Sequence, residues 1–108
     1  MPKYNKLVRD NIIEIIKKDN KAYNSRILSD EEHVAEIKNK MYEELQEFQT
    51  ATTLQEAVEE LSDLLELINA YLGVNNLTFE QLEAVRLKKK EKRGGFDQKI
   101  YLIDVEDL

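Results

Sequence analysis

Residues that interrupt helices are scarce in this chain of 108 residues, and no other feature limits its fold as strongly. The only proline is Pro2, and the three glycines are Gly73, Gly94 and Gly95. Because proline and glycine are the strongest interruptions of regular structure, long helices can run between so few breaks. The sequence therefore predicts an all-α fold.

Two helices are predicted in the first half of the chain. Apolar residues recur with helical spacing in "LVRDNIIEIIKKD", which predicts a first helix from about residue 7 to 20. Ser29 lies three residues before Glu32, a spacing typical of a capping box that opens a helix. We expect this second helix to reach about Thr50.

Two further helices are predicted in the second half. Thr53 and Glu56 repeat the capping-box spacing, and the apolar run that follows stops at Gly73, a residue type that tolerates the left-handed backbone after a helix. A fourth helix is expected to begin after Thr78 and to end at Gly94, where two glycines follow each other.

The end of the chain has a different composition. The residues "KIYLIDVEDL", 99–108, are rich in β-branched and aromatic side chains and predict a short strand, paired with "SRIL" at 25–28. Because the apolar faces of the helices are wide for so short a chain, we expect a homodimer. The prediction is one domain over 1–108, a four-helix-bundle-like all-α fold with a short C-terminal strand, completed by dimerisation.

Charge and composition limit the function. With 22 acidic and 16 basic residues the net charge is −6, which argues against binding nucleic acid through a general basic surface. Cysteine is absent and His33 is the single histidine, so a metal site must use oxygen ligands. Neither a signal peptide nor an apolar run of about 18 residues is found, which favours a cytoplasmic protein without membrane contact.

Acidic residues lie beside the apolar faces of the second and third helices. On a helical wheel Glu44 falls at the edge of the apolar stripe, with Glu47 one turn beyond it, whereas Glu43 points towards solvent. In the third helix Glu60 lies at the stripe edge and Asp63 follows at i+3. If the two helices pack antiparallel, four carboxylates converge.

Such residues can also be solvated glutamates at the boundary of a core. This interpretation is weakened because neither Glu44 nor Glu60 has a lysine at i+4, where it would form a local salt bridge. Those positions are Phe48 and Leu64. Only Lys40, at i−4 from Glu44, offers the reverse pairing. Buried carboxylates need a cation, and an all-oxygen site favours Mg²⁺ or Mn²⁺.

The acidic residues also carry a family resemblance. "EELQE", twelve further residues and then "ELSD" resemble the EExxE…ExxD pattern of the MazG-like and phosphoribosyl-ATP pyrophosphohydrolase-like all-α superfamily of nucleoside triphosphate pyrophosphohydrolases. The flanking segments "YNKLVRD", "EELSDLLELI" and "KKKEKRGGF" resemble a small subgroup of house-cleaning enzymes, although the subgroup often has "RDKIPEII" where this chain has "RDNIIEII".

The resemblance implies an activity and a set of ligands. It implies Mg²⁺-dependent hydrolysis of a nucleoside triphosphate between the α and β phosphates, which yields a monophosphate and pyrophosphate. The implied metal ligands are Glu44, Glu47, Glu60 and Asp63, the same four that the wheel selects. We expect Glu44 and Glu47 to be catalytic, with Glu47 accepting the proton of the attacking water.

Two basic pairs are candidate phosphate-binding residues. Lys89 and Arg93 lie one turn apart before the Gly-Gly sequence, although lysines near a helix end also favour the helix dipole. Lys6 and Arg9 lie at i,i+3 near the N-terminus, where a solvated face is the alternative.

Other functions remain open at this point. A catalytically weak helical dimer that binds nucleotides or a protein partner has the same sequence features. A di-iron carboxylate protein fits poorly, because its Glu-x-x-His pairs are missing, and no GxxxxGK[ST] phosphate-binding loop is present. No motif identifies the base of a nucleotide substrate, and the superfamily spans dUTP, dCTP, modified nucleotides and phosphoribosyl-ATP.

Overall fold

A computed structural model describes residues 2–107, and it confirms the all-α prediction for that range. The helices are α1 (Ile12–Lys18), α2 (Asp30–Thr50), α3 (Leu54–Val74) and α4 (Phe79–Arg93). The chain divides into two compact units, with the first ending at Asn76 and the second beginning at Leu77. Helices α1 to α3 therefore belong to the first unit and α4 to the second.

Helix α2 begins where the sequence predicts. The Ser29 hydroxyl accepts a bond from the Glu32 amide at 3.2 Å, and the Glu32 carboxylate accepts one from the Ser29 amide at 3.1 Å. Arg26 donates two bonds to the same carboxylate, at 3.1 and 2.7 Å. The predicted capping box is thus present, and the helix ends at Thr50 as expected.

Helices α2 and α3 pack against each other as a helical hairpin joined by residues 51–53. Such a short connection makes neighbouring helices antiparallel. The buried core between them is small: Ile37 is completely buried, and Leu72 is 6% exposed. Many apolar side chains of the hairpin face solvent, including Tyr42 and Leu54, which is 83% exposed.

The first helix is shorter than predicted. It covers Ile12–Lys18 instead of residues 7–20, and its N-cap residue Asn11 makes no side-chain cap hydrogen bond. Residues 7–9 lie outside the helix, and Arg9 in that segment binds Asp63 of α3. The spacing of the apolar residues alone predicted the longer helix. The long-range contact of Arg9 with Asp63 instead holds residues 7–9, which precede α1, in a non-helical conformation.

The end of α3 also differs from the prediction. Gly73 lies inside the helix, which continues to Val74, and Asn76 takes the positive φ of 56° that the sequence assigned to glycine. Asparagine is among the few other residues that adopt this conformation readily. At its start, Thr53 caps the helix, but the capping box is not closed, because Glu56 accepts its bond from the Thr52 amide at 3.0 Å.

Helix α4 has the predicted bounds. Thr78 and Gln81 form a complete capping box, and the helix ends at Arg93. Gly94 follows with φ of 82° and ψ of 176°, a region that residues other than glycine rarely enter.

The predicted C-terminal strand is wrong for the residues that the structure describes. Neither residues 99–107 nor residues 25–28 form a strand, and Tyr101 is 88% exposed. A single strand pair is marginal in water without a sheet or helix to cover it. Leu108 lies outside the described residues.

Within the same range, every helix is too short or too polar to cross a membrane.

Candidate metal centre

Helices α2 and α3 bring three carboxylates together. Glu44 and Glu47 come from α2 and Glu60 from α3, and one carboxylate oxygen of each lies within 4.8 Å of the others. We call these three residues the carboxylate cluster. The i,i+3 spacing places the two α2 residues on one side of that helix, and the short loop returns α3 alongside them. Three of the four residues predicted as ligands therefore meet.

The cluster is buried in an unusual way for acidic side chains. Glu44 is only 6% exposed, and among residues 2–107 it is the only charged residue that is buried. Glu47 is exposed. Glu44 Oε2 and Glu60 Oε2 are both shielded from solvent, and neither has a hydrogen-bond partner there. Leaving buried oxygens unpaired costs free energy, and the cost is largest for charged groups. These two atoms therefore lack a donor or a cation.

The proton equilibria of the cluster reflect this surplus of charge. Burial raises the pKa of Glu44 to about 8, and the adjoining carboxyl of Glu60 and the charges of Glu47 and Asp63 act in the same direction. For Glu60, the adjoining carboxyl of Glu44 lowers the pKa, but Glu47, burial and the charge of Asp63 outweigh it, so the pKa is raised. Without a cation, the cluster compensates by binding protons.

One lysine partly offsets the charge. Lys40 Nζ lies 3.8 Å from Glu44 Oε1 and 3.3 Å from Glu43 Oε2, so its ammonium is shared. Glu43 is therefore not simply directed into solvent as its wheel position predicted, because it pairs with Lys40. A single shared ammonium cannot balance the carboxylates around it.

Asp63, the fourth predicted ligand, has a different partner. Its Oδ1 accepts a hydrogen bond of 2.7 Å from Arg9 Nη2, and both side chains are partly exposed. Asp63 is not among the three residues of the carboxylate cluster, although its charge contributes to their raised pKa values. The sequence motifs point to both residues but not to their pairing, because no local spacing connects positions 54 residues apart.

The predicted phosphate-binding residues fall into two groups. Lys6 and Arg9 belong to the first unit, where Lys6 Nζ lies 5.6 Å from the ring centroid of Tyr4. Lys89 and Arg93 lie on α4 in the second unit, and both are exposed. Their role in binding phosphate stays a prediction.

The carboxylate cluster fits a hard divalent cation. Its donors are all carboxylate oxygens, the ligands that Mg²⁺ and Mn²⁺ prefer over thiolate or imidazole. One carboxylate oxygen of each residue lies within 4.8 Å of the others, so the three side chains can reach a single ion. A cation would also supply the two unpaired buried oxygens with a partner.

Comparison with known proteins agrees with this chemistry. The family model described as phosphoribosyl-ATP pyrophosphohydrolase matches residues 4–90, a range that includes the carboxylate cluster, Asp63, Lys6, Arg9 and Lys89 but not Arg93. Searches of curated proteins and of solved structures gave no match. The family consists of divalent-metal-dependent hydrolases that act on a phosphoric anhydride. The chain therefore belongs to the phosphoribosyl-ATP pyrophosphohydrolase family, within the MazG-like all-α superfamily of nucleoside triphosphate pyrophosphohydrolases.

Proposed function

We propose that the protein is a Mg²⁺-dependent nucleoside triphosphate pyrophosphohydrolase. It cleaves between the α and β phosphates, gives a nucleoside monophosphate and pyrophosphate, and removes non-canonical or surplus nucleotides in the cytoplasm. The observation that carries the proposal is the pair of buried, unpaired oxygens on Glu44 and Glu60. An apolar pair of residues would fill this place at lower cost if the acids had only a structural role.

The metal ligands in this proposal are Glu44, Glu47 and Glu60, with Asp63 as the fourth. When bound there, Mg²⁺ or Mn²⁺ supplies charge neutralisation at the phosphate oxygens and lowers the pKa of water. Asp63 Oδ1, which accepts the 2.7 Å hydrogen bond from Arg9, can join when the guanidinium leaves it. That exchange leaves the guanidinium free for an anionic phosphate oxygen, a ligand that suits its planar donors.

The remaining chemistry belongs to the side chains. Glu47, the exposed member of the carboxylate cluster, accepts the proton of the attacking water. The water oxygen bonds to phosphorus as the bridging P–O bond breaks, and pyrophosphate leaves with the bridging oxygen. Lys6 and Arg9 balance the negative charge of the triphosphate and of the leaving group.

The proposal includes a homodimer as the working form, with the whole chain as one domain. The exposed apolar side chains of the α2–α3 hairpin support it, since an isolated chain would leave them in water. The family match supports the single domain, because residues 4–90 cross the boundary between the two compact units.

The direct test is pyrophosphate release from a panel of standard and damaged nucleoside triphosphates, with phosphoribosyl-ATP included. The nucleotide product is identified by chromatography, with and without Mg²⁺. Glu60→Gln is compared with Glu59→Gln, which removes an adjacent exposed carboxylate outside the carboxylate cluster.

We expect the native chain and Glu59→Gln to form monophosphate only with Mg²⁺. The rate of Glu60→Gln should be at least 100-fold lower, which is of the order expected for loss of one electrostatic catalytic group. Binding of a triphosphate without turnover across the whole panel would instead support the catalytically weak nucleotide-binding dimer.

A further inference from the structure

A second feature of the first unit lies next to the carboxylate cluster. A cavity of about 410 Å³ opens between residues 4–7 and one side of α2, where it is lined by Glu36, Asn39, Lys40 and Glu43. Its volume lies within the range of small-molecule binding sites. Of the residues assigned a role above, Lys6 also lines this cavity.

The cavity and the carboxylate cluster are continuous along α2. Glu43 at the cavity is one helical turn, or about 6 Å of rise, before the cluster residue Glu47. Lys40 lines the cavity and also lies 3.8 Å from Glu44 of the cluster. A molecule bound at the cluster therefore has the cavity as its neighbour on the N-terminal side of α2.

The N-terminal segment connects the same two places. Tyr4 and Lys6 line the cavity, and three residues further on Arg9 binds Asp63 beside the carboxylate cluster. A ligand whose anionic end lies among the cluster, Asp63 and Arg9 would extend along this segment towards Tyr4.

The lining favours an uncharged, planar, polar group. Two lysines and two glutamates cancel in charge, so the cavity does not select a phosphate. Tyr4 is 72% exposed and offers a ring for stacking. Asn39 Nδ2 donates only a long bond of 3.4 Å to Glu36, so its amide can be recruited at low cost, and an amide can both donate to and accept from the edge of a base.

We infer that this cavity is the subsite for the nucleoside half of the substrate, with Tyr4 stacking on the base and Asn39 binding its polar edge. The inference rests on the proposed function, which places the phosphates at the carboxylate cluster. It makes Tyr4 and Asn39 the residues that distinguish a nucleoside triphosphate from inorganic polyphosphate.

The test compares the binding of three probes in the presence of Mg²⁺ by isothermal titration calorimetry. The probes are the α,β-methylene analogues of ATP and dUTP, which resist cleavage at the reacting bond, and inorganic tripolyphosphate, which has no nucleoside. The variants are Tyr4→Ala, Tyr4→Phe and Asn39→Ala, and Gln49→Ala serves as a matched change on the exposed surface of α2. Tyr4 and Asn39 are exposed, so neither substitution removes a buried contact.

We expect Tyr4→Ala to weaken binding of at least one nucleotide analogue by about tenfold, the lower part of the range for loss of one stacked base. Asn39→Ala should weaken it about threefold or more. Tyr4→Phe and Gln49→Ala should bind as the native chain does, and tripolyphosphate should bind equally to all variants.

Two results would overturn the assignment, and they are distinguishable. Equal losses for tripolyphosphate and the nucleotide analogues, or no loss for either, would overturn the nucleoside subsite while leaving the proposed function intact. If the native chain binds none of the three probes, the phosphate site is overturned, and the proposed function and the subsite are overturned with it.

Discussion

Replacing Glu44 by glutamine should stabilise the metal-free protein while removing its response to Mg²⁺. Glutamine has nearly the same shape as glutamate, and its amide can donate to Glu60 Oε2, one of the two unpaired buried oxygens. The substitution also removes an acidic group that the metal-free fold cannot ionise freely. A gain in stability from a change at a catalytic position is the signature of a site selected for function.

The magnitude follows from the shifted proton equilibrium. The pKa of Glu44 is about 8 in the folded chain, raised from its ordinary value of 4.5 in the unfolded chain. The folded state therefore holds more protons than the unfolded state between these values, and stability falls as pH rises through that window. Since one pKa unit corresponds to about 1.4 kcal/mol, the cost is about 3 kcal/mol at pH 7 and below about 1 kcal/mol at pH 5.

The assay is urea unfolding in EDTA at pH 5 and pH 7, at one fixed chain concentration because self-association would otherwise alter the midpoint. Glu44→Gln should be more stable than the native chain by about 2 to 3 kcal/mol at pH 7, and the difference should shrink to below about 1 kcal/mol at pH 5. Glu59→Gln, an exposed neighbour of the carboxylate cluster on α3, should leave stability nearly unchanged at both values.

Mg²⁺ provides the second half of this test. A saturating concentration, about 100 times the dissociation constant, should stabilise the native chain by about 3 kcal/mol and leave Glu44→Gln almost unaffected. Loss of stability in metal-free Glu44→Gln at pH 7 would refute the reasoning, because it would mean that the carboxylate makes favourable contacts in the fold without a cation.

Three further predictions concern other parts of the chain. Ser29→Ala should lower the free energy of unfolding by about 1 kcal/mol, measured in urea, because it opens the capping box of α2. Gly94→Ala should cost about 1 to 3 kcal/mol, seen as faster amide hydrogen exchange at the end of α4, whereas Gly95→Ala should be tolerated because a new Cβ there meets only Lys90 Cε at 3.7 Å. Arg9→Gln should tighten Mg²⁺ binding several-fold in calorimetry, because it releases Asp63 and removes a competing positive charge. Unchanged or weaker binding would argue against Asp63 as a ligand.

Local signals in the sequence were enough to position most of the helices. The starts of α2 and α4 depend on capping boxes whose two partners lie three residues apart, so they can be identified without knowledge of the fold. The convergence of the three carboxylates can also be predicted without knowledge of the fold. Two helices joined by a short loop, with acidic residues at i,i+3 spacing, leave few alternative arrangements.

The features that the sequence did not predict depend on distant contacts. Arg9 ends up on Asp63, and no periodic pattern reports which side chains meet across 54 residues. The C-terminal tail has the composition of a strand, but among residues 2–107 no strand is available to pair with it. The cavity beside α2 was also missed, because it requires the path of residues 4–7, which a helical wheel of α2 does not contain.

The position of Arg9 connects the stability of the metal-free chain to the proposed chemistry. Glu44 lowers its charge by holding a proton, whereas Asp63 does so by pairing with a guanidinium at 2.7 Å. Both arrangements compensate negative charge that a divalent cation would compensate more completely, so the cation competes with the proton on Glu44 and with Arg9. Proton release on Mg²⁺ binding therefore reports on Glu44 and Glu60, whose pKa values are both raised, while the effect of Arg9→Gln reports on Asp63. Calorimetry in buffers of different ionisation enthalpy separates the two, because only the proton contributes a buffer-dependent heat.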